Sequence, residues 1–437
     1  MPSTVTAAAL GLRTCAGWPR EVCSSSAPTA TLPSAVSIFT GSFPSTYSQR
    51  EEAFEEQMDF FYVANQELLL GEALAAAEYD VVRFVENPLA GRPNTFQGLV
   101  HRSGITTGLP VRAGLLPELD PNDTRYQMVR GLLQYLLMVG ESSFFALQWF
   151  EDPHAAYVPP KHLLAELSYD RSKLRHPLPY YLGLSHKDKP EVGYRKLQDH
   201  QNDLRPYEVE LLERLYLKEV ESIDERVGYI LDLLERQKLA ERTFVVFTSD
   251  HGEGFGEHGR FLHGNSFYDE LVHVPLIIAG PGISRGGRVS EGVSHVDLMP
   301  TLCELLPVDC LNEAQGQSFA SLLRGEKDSV ASRVQYLENP SAKREQVDAL
   351  VDGDWKLIAH REAARIELYD LAADAAEQED VSSAHPGRVE RMLAKLLRLR
   401  AENEARREQN RLLTDDTVLQ RAGEDTLELL RTLGYVD

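Results

Sequence analysis

Hydrophobic positions along the chain follow two rhythms. The first is the short unbroken run. VVRFV (81–85), FFALQWF (144–150), TFVVFTS (243–249) and VPLIIAG (274–280) are bounded by polar or turn-forming residues, with Pro88 closing the first. Runs of this length, rich in β-branched and aromatic residues, predict strands buried on both faces, as in parallel sheets. The second rhythm has a spacing of three and four. Leu212, Tyr216, Val220, Ile223, Val227, Ile230 and Leu234 predict one long amphipathic helix over 206–239. HVDLMPTLCELL (295–306) reads as a shorter helix, and residues 47–58 and 55–77 read as helical. Residues 160–200 are polar and rich in Lys, His and Tyr, which predicts a long loop or lid.

Beyond about residue 325 the pattern changes. Residues 347–372 alternate as a small antiparallel meander, with DGDW as its hairpin turn. Residues 386–410 predict a helix with Val389, Met392, Leu393, Leu396 and Leu399 on one face. The final DTLELLRTLGYVD predicts a short helix closed by Gly434. Strands alternating with helices predict an α/β fold, with a mostly parallel central sheet flanked by helices over 1–330. A smaller α+β subdomain is expected over 331–437.

Composition narrows the partners. The chain has 437 residues, 43% of them hydrophobic, enough for a sizeable core. Its 45 basic and 67 acidic side chains give a net charge of −22. Such a field repels nucleic acid and anionic membranes but leaves room for a local pocket for a small anion. The four cysteines, Cys15, Cys23, Cys303 and Cys310, form no CxxC pair, so no zinc knuckle or redox motif is visible. No apolar run reaches the ~18 residues of a membrane span, and the first residues make a poor secretory signal. Compartment and oligomeric state stay open.

Ionisable groups gather where the strands end. Asn87, the Asp152-Pro153-His154 triplet and Asp250-His251 each follow an apolar run. In open α/β sheets that is where ligands bind. Asp250 and His251 offer a hard oxygen and an imidazole nitrogen, a pair that suits Zn²⁺ or Mn²⁺ and, less well, Ca²⁺ or Mg²⁺. Equally, Asp250 can cap a turn and His251 can be an ordinary surface histidine. His263 stands twelve residues beyond His251 and suits a contact to an anionic substrate or its leaving group, whereas His258 suits a loop-structuring part. Earlier, in TLPSAVSIFTG, Pro33 fits the first turn of a helix. That places Thr31 at a helix N-terminus, where an anion is favoured and a hydroxyl can act as a nucleophile. A plain capping hydroxyl is the alternative.

These segments, in this order, resemble the sulfatase family within the alkaline phosphatase superfamily. TLPSAVSIFTG is similar to the family's nucleophile segment, and FFALQWFEDPHAAYVPP to its DPHxPYxPP strand and loop. FVVFTSDHGEGFGEHG and FYDELVHVPLIIAGPG are similar to its metal-binding strand and the strand after it. SHVDLMPTLCELL, GQSFASLLRG, WKLI, ELYDLAADAAEQ and LLRTLGYV resemble downstream signatures. The resemblance implies an alkaline-phosphatase/sulfatase-like fold and an ester hydrolase that uses a divalent metal. It assigns Thr31 to the nucleophile, Asp250 and His251 (with Thr31) to the metal, and His154 and His263 to the transferred or leaving group. Asn87 corresponds loosely to an oxyanion contact.

Two departures shift the expectation. Family sulfatases convert Cys or Ser at the nucleophile position to formylglycine, and threonine cannot give that aldehyde. Ala35 also replaces the arginine that accompanies it. Both point to phosphoric or phosphonic esters over sulfate esters. The family's first strand also ends in metal-binding acids, whereas Glu21 is the only acid before Thr31. The expectation is a chain truncated at its N-terminus, with a catalytically silent anion-binding relative and a phospho-group transferase as alternatives.

Overall fold

The computed structural model describes residues 31–46, 48–50, 60–62, 70–85, 124–182, 204–263, 266–306, 308–310, 314–326, 333–338, 346–361 and 363–421. Asn87 and the closing helix expected over 425–437 lie outside them. The described helices are α1 (Thr31–Thr40), α2 (Leu70–Ala76), α3 (Thr124–Met138), α4 (Lys161–Ala165), α5 (Leu178–Tyr181), α6 (Pro206–Arg236), α7 (Asp269–Val272), α8 (Leu298–Leu305), α9 (Ala320–Leu323) and α10 (Pro386–Arg421). The strands are β1 (Ser48–Arg50), β2 (Phe60–Tyr62), β3 (Asp80–Val85), β4 (Phe144–Trp149), β5 (Val245–Thr248), β6 (Gly254–Phe255), β7 (Phe261–Leu262), β8 (Leu276–Ala279), β9 (Val334–Glu338), β10 (Val347–Asp352), β11 (Trp355–His360) and β12 (Arg365–Asp370).

The apolar runs do form the strands of an α/β core. β3 and β4 pair in parallel, from Asp80 opposite Phe144 to Val85 opposite Trp149. β5 pairs with β8 antiparallel, from Val245 opposite Ala279 to Thr248 opposite Leu276. A parallel return is usually made through a crossover α-helix. The chain between β5 and β8 instead holds the β6–β7 hairpin and the four-residue α7.

Helices cover both faces. Val82, Phe84, Phe144, Ala146 and Val245 pack against Leu132, Leu133 and Leu136 of α3 and Leu233 and Leu234 of α6. Phe145, Leu147 and Trp149 pack the opposite way, against Ala35 and Phe39 of α1, Leu70 and Leu74 of α2, and Met299 of α8. The alternation along β4 is the strand's period of two at work. α6 matches its expected span, and its first turn is secured by Glu208, which accepts from the Arg205 backbone N–H at 2.8 Å. A disulfide joins Cys303 on α8 to Cys310.

One local expectation fails. Ser48–Arg50 and Phe60–Tyr62, read as helical, pair as antiparallel strands, whereas Leu70–Ala76, within the same expected span, is helical. The helix-forming Glu and Gln residues around 49–57 misled the reading, because long-range pairing overrides propensity. Within the expected lid, α4 and α5 are short helices. The smaller C-terminal subdomain is an antiparallel sheet in the order β12-β11-β10-β9. Gly353, at φ +64°, makes the β10–β11 turn that a side chain would strain. Met392 and Leu396 of α10 close this sheet over Tyr336, Leu350, Leu357 and Leu368.

Candidate active site

The polar residues that follow β4 and β5 converge. Asp250 and His251 stand directly beyond β5, at the place the strand's register fixes for them. The His251 backbone N–H donates to Asp250 Oδ1 at 3.0 Å. The His251 ring donates from Nδ1 to the Gly252 carbonyl at 2.8 Å. That leaves Nε2, which lies 3.6 Å from Asp250 Oδ2, so the two donors face the same space. Burial opposes a charge on His251, but Asp250, the Gly252 carbonyl, Glu253 and Glu151 outweigh it and raise its proton affinity. Gly252 is required here: a Cβ at that position would lie 2.0 Å from the Glu270 carbonyl oxygen.

The start of α1 meets this strand end. Ser34, one turn into α1, donates its hydroxyl to the Asp250 carbonyl at 2.8 Å. Thr31 opens the same helix, so the backbone places it in the first turn rather than ahead of it. From the other side His295, fully buried, donates from Nε2 to the Ser249 carbonyl at 3.0 Å. Burial pulls its proton affinity down to about 4, so it is a neutral strut.

Two more imidazoles complete the cluster. The His263 ring stacks on His251 at 4.1 Å and meets His154 edge-on at 5.0 Å. Glu253 holds His263 Nδ1 at 2.9 Å with one oxygen and accepts from Tyr157 at 3.0 Å with the other. Burial, then the neighbouring His251, lowers the proton affinity of His263 against the pull of Glu253. His154 directs Nδ1 at the Ala155 carbonyl at 2.5 Å. Its loop is anchored by Asp152, which pairs with the buried Arg226 at 2.5 Å and with Arg125 at 4.0 Å. Glu151 stands alongside, its carboxyl pushed up to about 7 by burial and by Asp250 and Asp152.

The structure thus gathers Asp250, His251, His154 and His263 around one place, beside the helix that Thr31 opens. Ser34, Glu151, Glu253, Tyr157 and His295 were not singled out from sequence. Glu253 had a signal, since it sits two residues past His251. His258 lies apart, stacked on Tyr268 at 3.6 Å and tied to Glu270 and the Glu377 carbonyl, each at 3.0 Å.

Solved structures share the architecture. A 2-O GAG sulfatase matches at a TM-score of 0.63 with 20% identity, covering 89% of this chain and 84% of that one. The phosphonate monoester hydrolase SpPMH from Silicibacter pomeroyi matches at 0.64 with 20% identity, covering 88% of each. The fold is therefore the alkaline-phosphatase/sulfatase fold. The sulfatase family model matches residues 24–308, and that of the N-sulphoglucosamine sulphohydrolase C-terminal region matches residues 256–402. This chain belongs to the sulfatase family. It is 31% identical to arylsulfatase K of Xenopus laevis, over 51% of this chain and 41% of the relative. It is 30% identical to choline-sulfatase of Rhizobium meliloti, over 44% of this chain and 37% of the relative. The matches span about two fifths of these curated relatives' lengths.

The metal implied by the family can be tested against the residues present. Asp250 and His251 offer two aligned donors, fewer than the three or four of protein metal sites. Among the described residues no group of three or more His, Cys, Asp and Glu is arranged to hold a metal ion. The described residues therefore do not form a metal cage by themselves. Among them, no helix is long and apolar enough to cross a membrane.

Proposed function

We propose that this chain is a hydrolase of small anionic esters, with phosphoric or phosphonic esters preferred over sulfuric ones, and with Thr31 as the attacking residue. The observation that carries this reading is the meeting of the first turn of α1 with the strand end at Asp250, through the 2.8 Å bond from Ser34. A helix start offers unpaired N–H groups to an anion. The same place is faced by His251, His263 and His154. In the proposed step the Thr31 oxygen bonds to phosphorus in line while the ester P–O bond opposite breaks. The Thr31 hydroxyl gives up its proton to solvent as its oxygen bonds to phosphorus, the departing oxygen takes a proton from solvent, and His154 and His263 contact the transferred or leaving group. Water then hydrolyses the phospho-threonine. Threonine retains a hydroxyl nucleophile but cannot supply formylglycine, which is the reason for preferring phospho-esters. The named activities of a phosphonate monoester hydrolase and of sulfatases among the similar proteins bracket this range.

A divalent cation (Zn, Mn, Ca or Mg) held by Asp250 and His251, with Thr31, would need further ligands from outside the described residues, and no step is routed through it. That shortage favours one second reading: a catalytically silent member of the fold that binds anions. The test is turnover of 4-nitrophenyl phosphate, a phenylphosphonate monoester and 4-nitrophenyl sulfate, with each cation supplied in turn. The proposal expects phospho-ester turnover that falls at least about a hundredfold in Thr31→Ala. Full turnover by Thr31→Ala would overturn the role of Thr31. No turnover of any ester would leave the silent reading standing.

A further inference from the structure

The strand end that carries Asp250 and His251 is seated on α7. The Gly252 backbone N–H donates to the Leu271 carbonyl at 2.8 Å, and the Glu270 carbonyl stands where a Cβ on Gly252 would fall. The β6–β7 hairpin leaves this seat and returns beside it, with Glu253 at one foot, His263 at the other and His258 in its tip. α7 has four residues, and each strand of the hairpin has two. Elements this short have little stability of their own. Their placement therefore depends on what they dock against.

Both meet one residue of the C-terminal subdomain. Glu377 follows β12 and is buried. Its Oε2 accepts from the Asp269 backbone N–H, the first of α7, at 2.6 Å. Its Oε1 pairs with Lys356 Nζ at 2.8 Å, and Lys356 also reaches Asp269 Oδ1 at 2.7 Å. Its main-chain carbonyl accepts from His258 Nε2 at 3.0 Å, while His258 Nδ1 lies 3.0 Å from Glu270 Oε1 on α7. Backbone strain marks the same junction. Among the described residues six other than glycine have left-handed backbone, and three of them are His258 at φ +52°, Leu262 at +64° and Glu377 at +54°. Such conformations are costly for a residue with a Cβ and persist where the surroundings over-determine them. Leu262 directly precedes His263, and His258 and Glu377 face each other.

We propose that Glu377 is a positioning residue for the candidate active site. From the C-terminal subdomain it fixes α7 and the hairpin tip relative to each other, and so sets the 4.1 Å stack of His263 on His251. What the stacked rings do rests on the hydrolase reading; how they are held does not. On that reading Glu377 acts on the chemistry through His251 and His263 rather than by touching the substrate.

The test compares Glu377→Gly with Glu377→Gln in the full chain. Glycine accepts the left-handed backbone and keeps the carbonyl that His258 meets, but lacks the carboxyl that holds α7. Glutamine keeps one side-chain oxygen for the Asp269 N–H, and Lys356 retains Asp269 in both variants. The ring Cε1–Hε1 NMR signals of His251 and His263, assigned through His251→Gln and His263→Gln, report the stack whether or not an ester is turned over. In Glu377→Gly both signals should move, and kcat for 4-nitrophenyl phosphate should fall at least about tenfold with KM changed less than about threefold. In Glu377→Gln both readouts should stay near the parent chain. Leu396→Val, on the other face of the C-terminal sheet, controls for lost stability. Unmoved signals in folded Glu377→Gly would overturn the proposal, and so would equal movement in Leu396→Val. Should Glu377→Gly fail to fold, His258→Asn, which suits the left-handed tip and releases only the hairpin, carries the same ring test, and unmoved signals there overturn the proposal too. Moved signals in Glu377→Gly alone, with no turnover by any chain, would uphold the positioning and defeat the hydrolase reading instead.

Discussion

Arg226 offers a sharp test of how the His154 loop is held. Its side chain on α6 is fully buried, donates from Nη2 to Asp152 at 2.5 Å and from Nε to the Ser222 carbonyl at 3.2 Å. Its guanidinium also lies 4.8 Å from the centre of the Phe150 ring. Arg226→Met keeps most of the volume and removes the charge. Asp152, with a side chain 10% exposed, then has Arg125 at 4.0 Å as its neighbouring cation. Glu219 adds to the strain. This buried carboxylate already has its proton affinity driven well up by burial and by Asp152, and Arg226 is one of the charges opposing that. Removing one partner of a buried ion pair costs about 3–5 kcal/mol. Arg125 and the apolar fit of Met offset part of that, so about 3 kcal/mol is expected. The assay is urea unfolding followed by tryptophan fluorescence. Asp152→Asn in the Arg226→Met background removes the orphaned carboxylate and should recover at least about 1 kcal/mol, the signature of a charge left unpaired rather than of lost packing. A loss under about 1 kcal/mol in the single variant, or no recovery in the double, would refute the reasoning.

Three other expectations follow from the same geometry. Glu338 of β9 is buried, accepts from the Ser45 backbone N–H at 2.7 Å and the Ser45 hydroxyl at 2.6 Å, and has its carboxyl pushed up to about 6 by burial. The folded chain therefore holds this proton more tightly than the unfolded one. Its contribution is present in full below about pH 4.5 and is lost as pH rises through 6, by about 2 kcal/mol. A thermal-melt series over that window should show this falling component in the native chain and not in Glu338→Gln. Gly252→Ala forces a Cβ against the Glu270 carbonyl oxygen, so a loss of at least about 1–3 kcal/mol is expected in urea unfolding. Any ester turnover should fall with it, because His251 moves. Lys356 is fully buried between Asp269 at 2.7 Å and Glu377 at 2.8 Å. Lys356→Met should cost about 3–5 kcal/mol in calorimetric unfolding, and wild-type stability in that variant would refute the pairing.

What the sequence made legible and what it hid divide along a physical line. The long helix α6 and the four apolar strands were readable because burial alone imposes their periodicity, and burial is written locally. The β1–β2 hairpin was not, since Ser48–Arg50 and Phe60–Tyr62 carry no alternation of their own and owe their state to each other. The antiparallel return of β8 was hidden for a related reason. An apolar run such as LIIA shows that a strand is buried but not its direction, which here goes with a connection that holds a hairpin and one four-residue helix rather than a crossover helix. At the site the same distinction holds. Asp250, His251 and His263 announced themselves by clustering in a glycine-rich segment, whereas Ser34 and His295 act through bonds to the main chain at Asp250 and Ser249. No residue type signals that role, because any hydroxyl or imidazole can hold a carbonyl once the fold brings it there. Glu253 lies between the two cases. It was adjacent in sequence to the recognised pair, but its bonds to Tyr157 and His263 join residues 96 and 10 positions away. Only the packing of the β6–β7 hairpin against the His154 loop makes them one unit. The residues that perform chemistry in the proposed site were therefore visible by type, and those that position them became visible only by place.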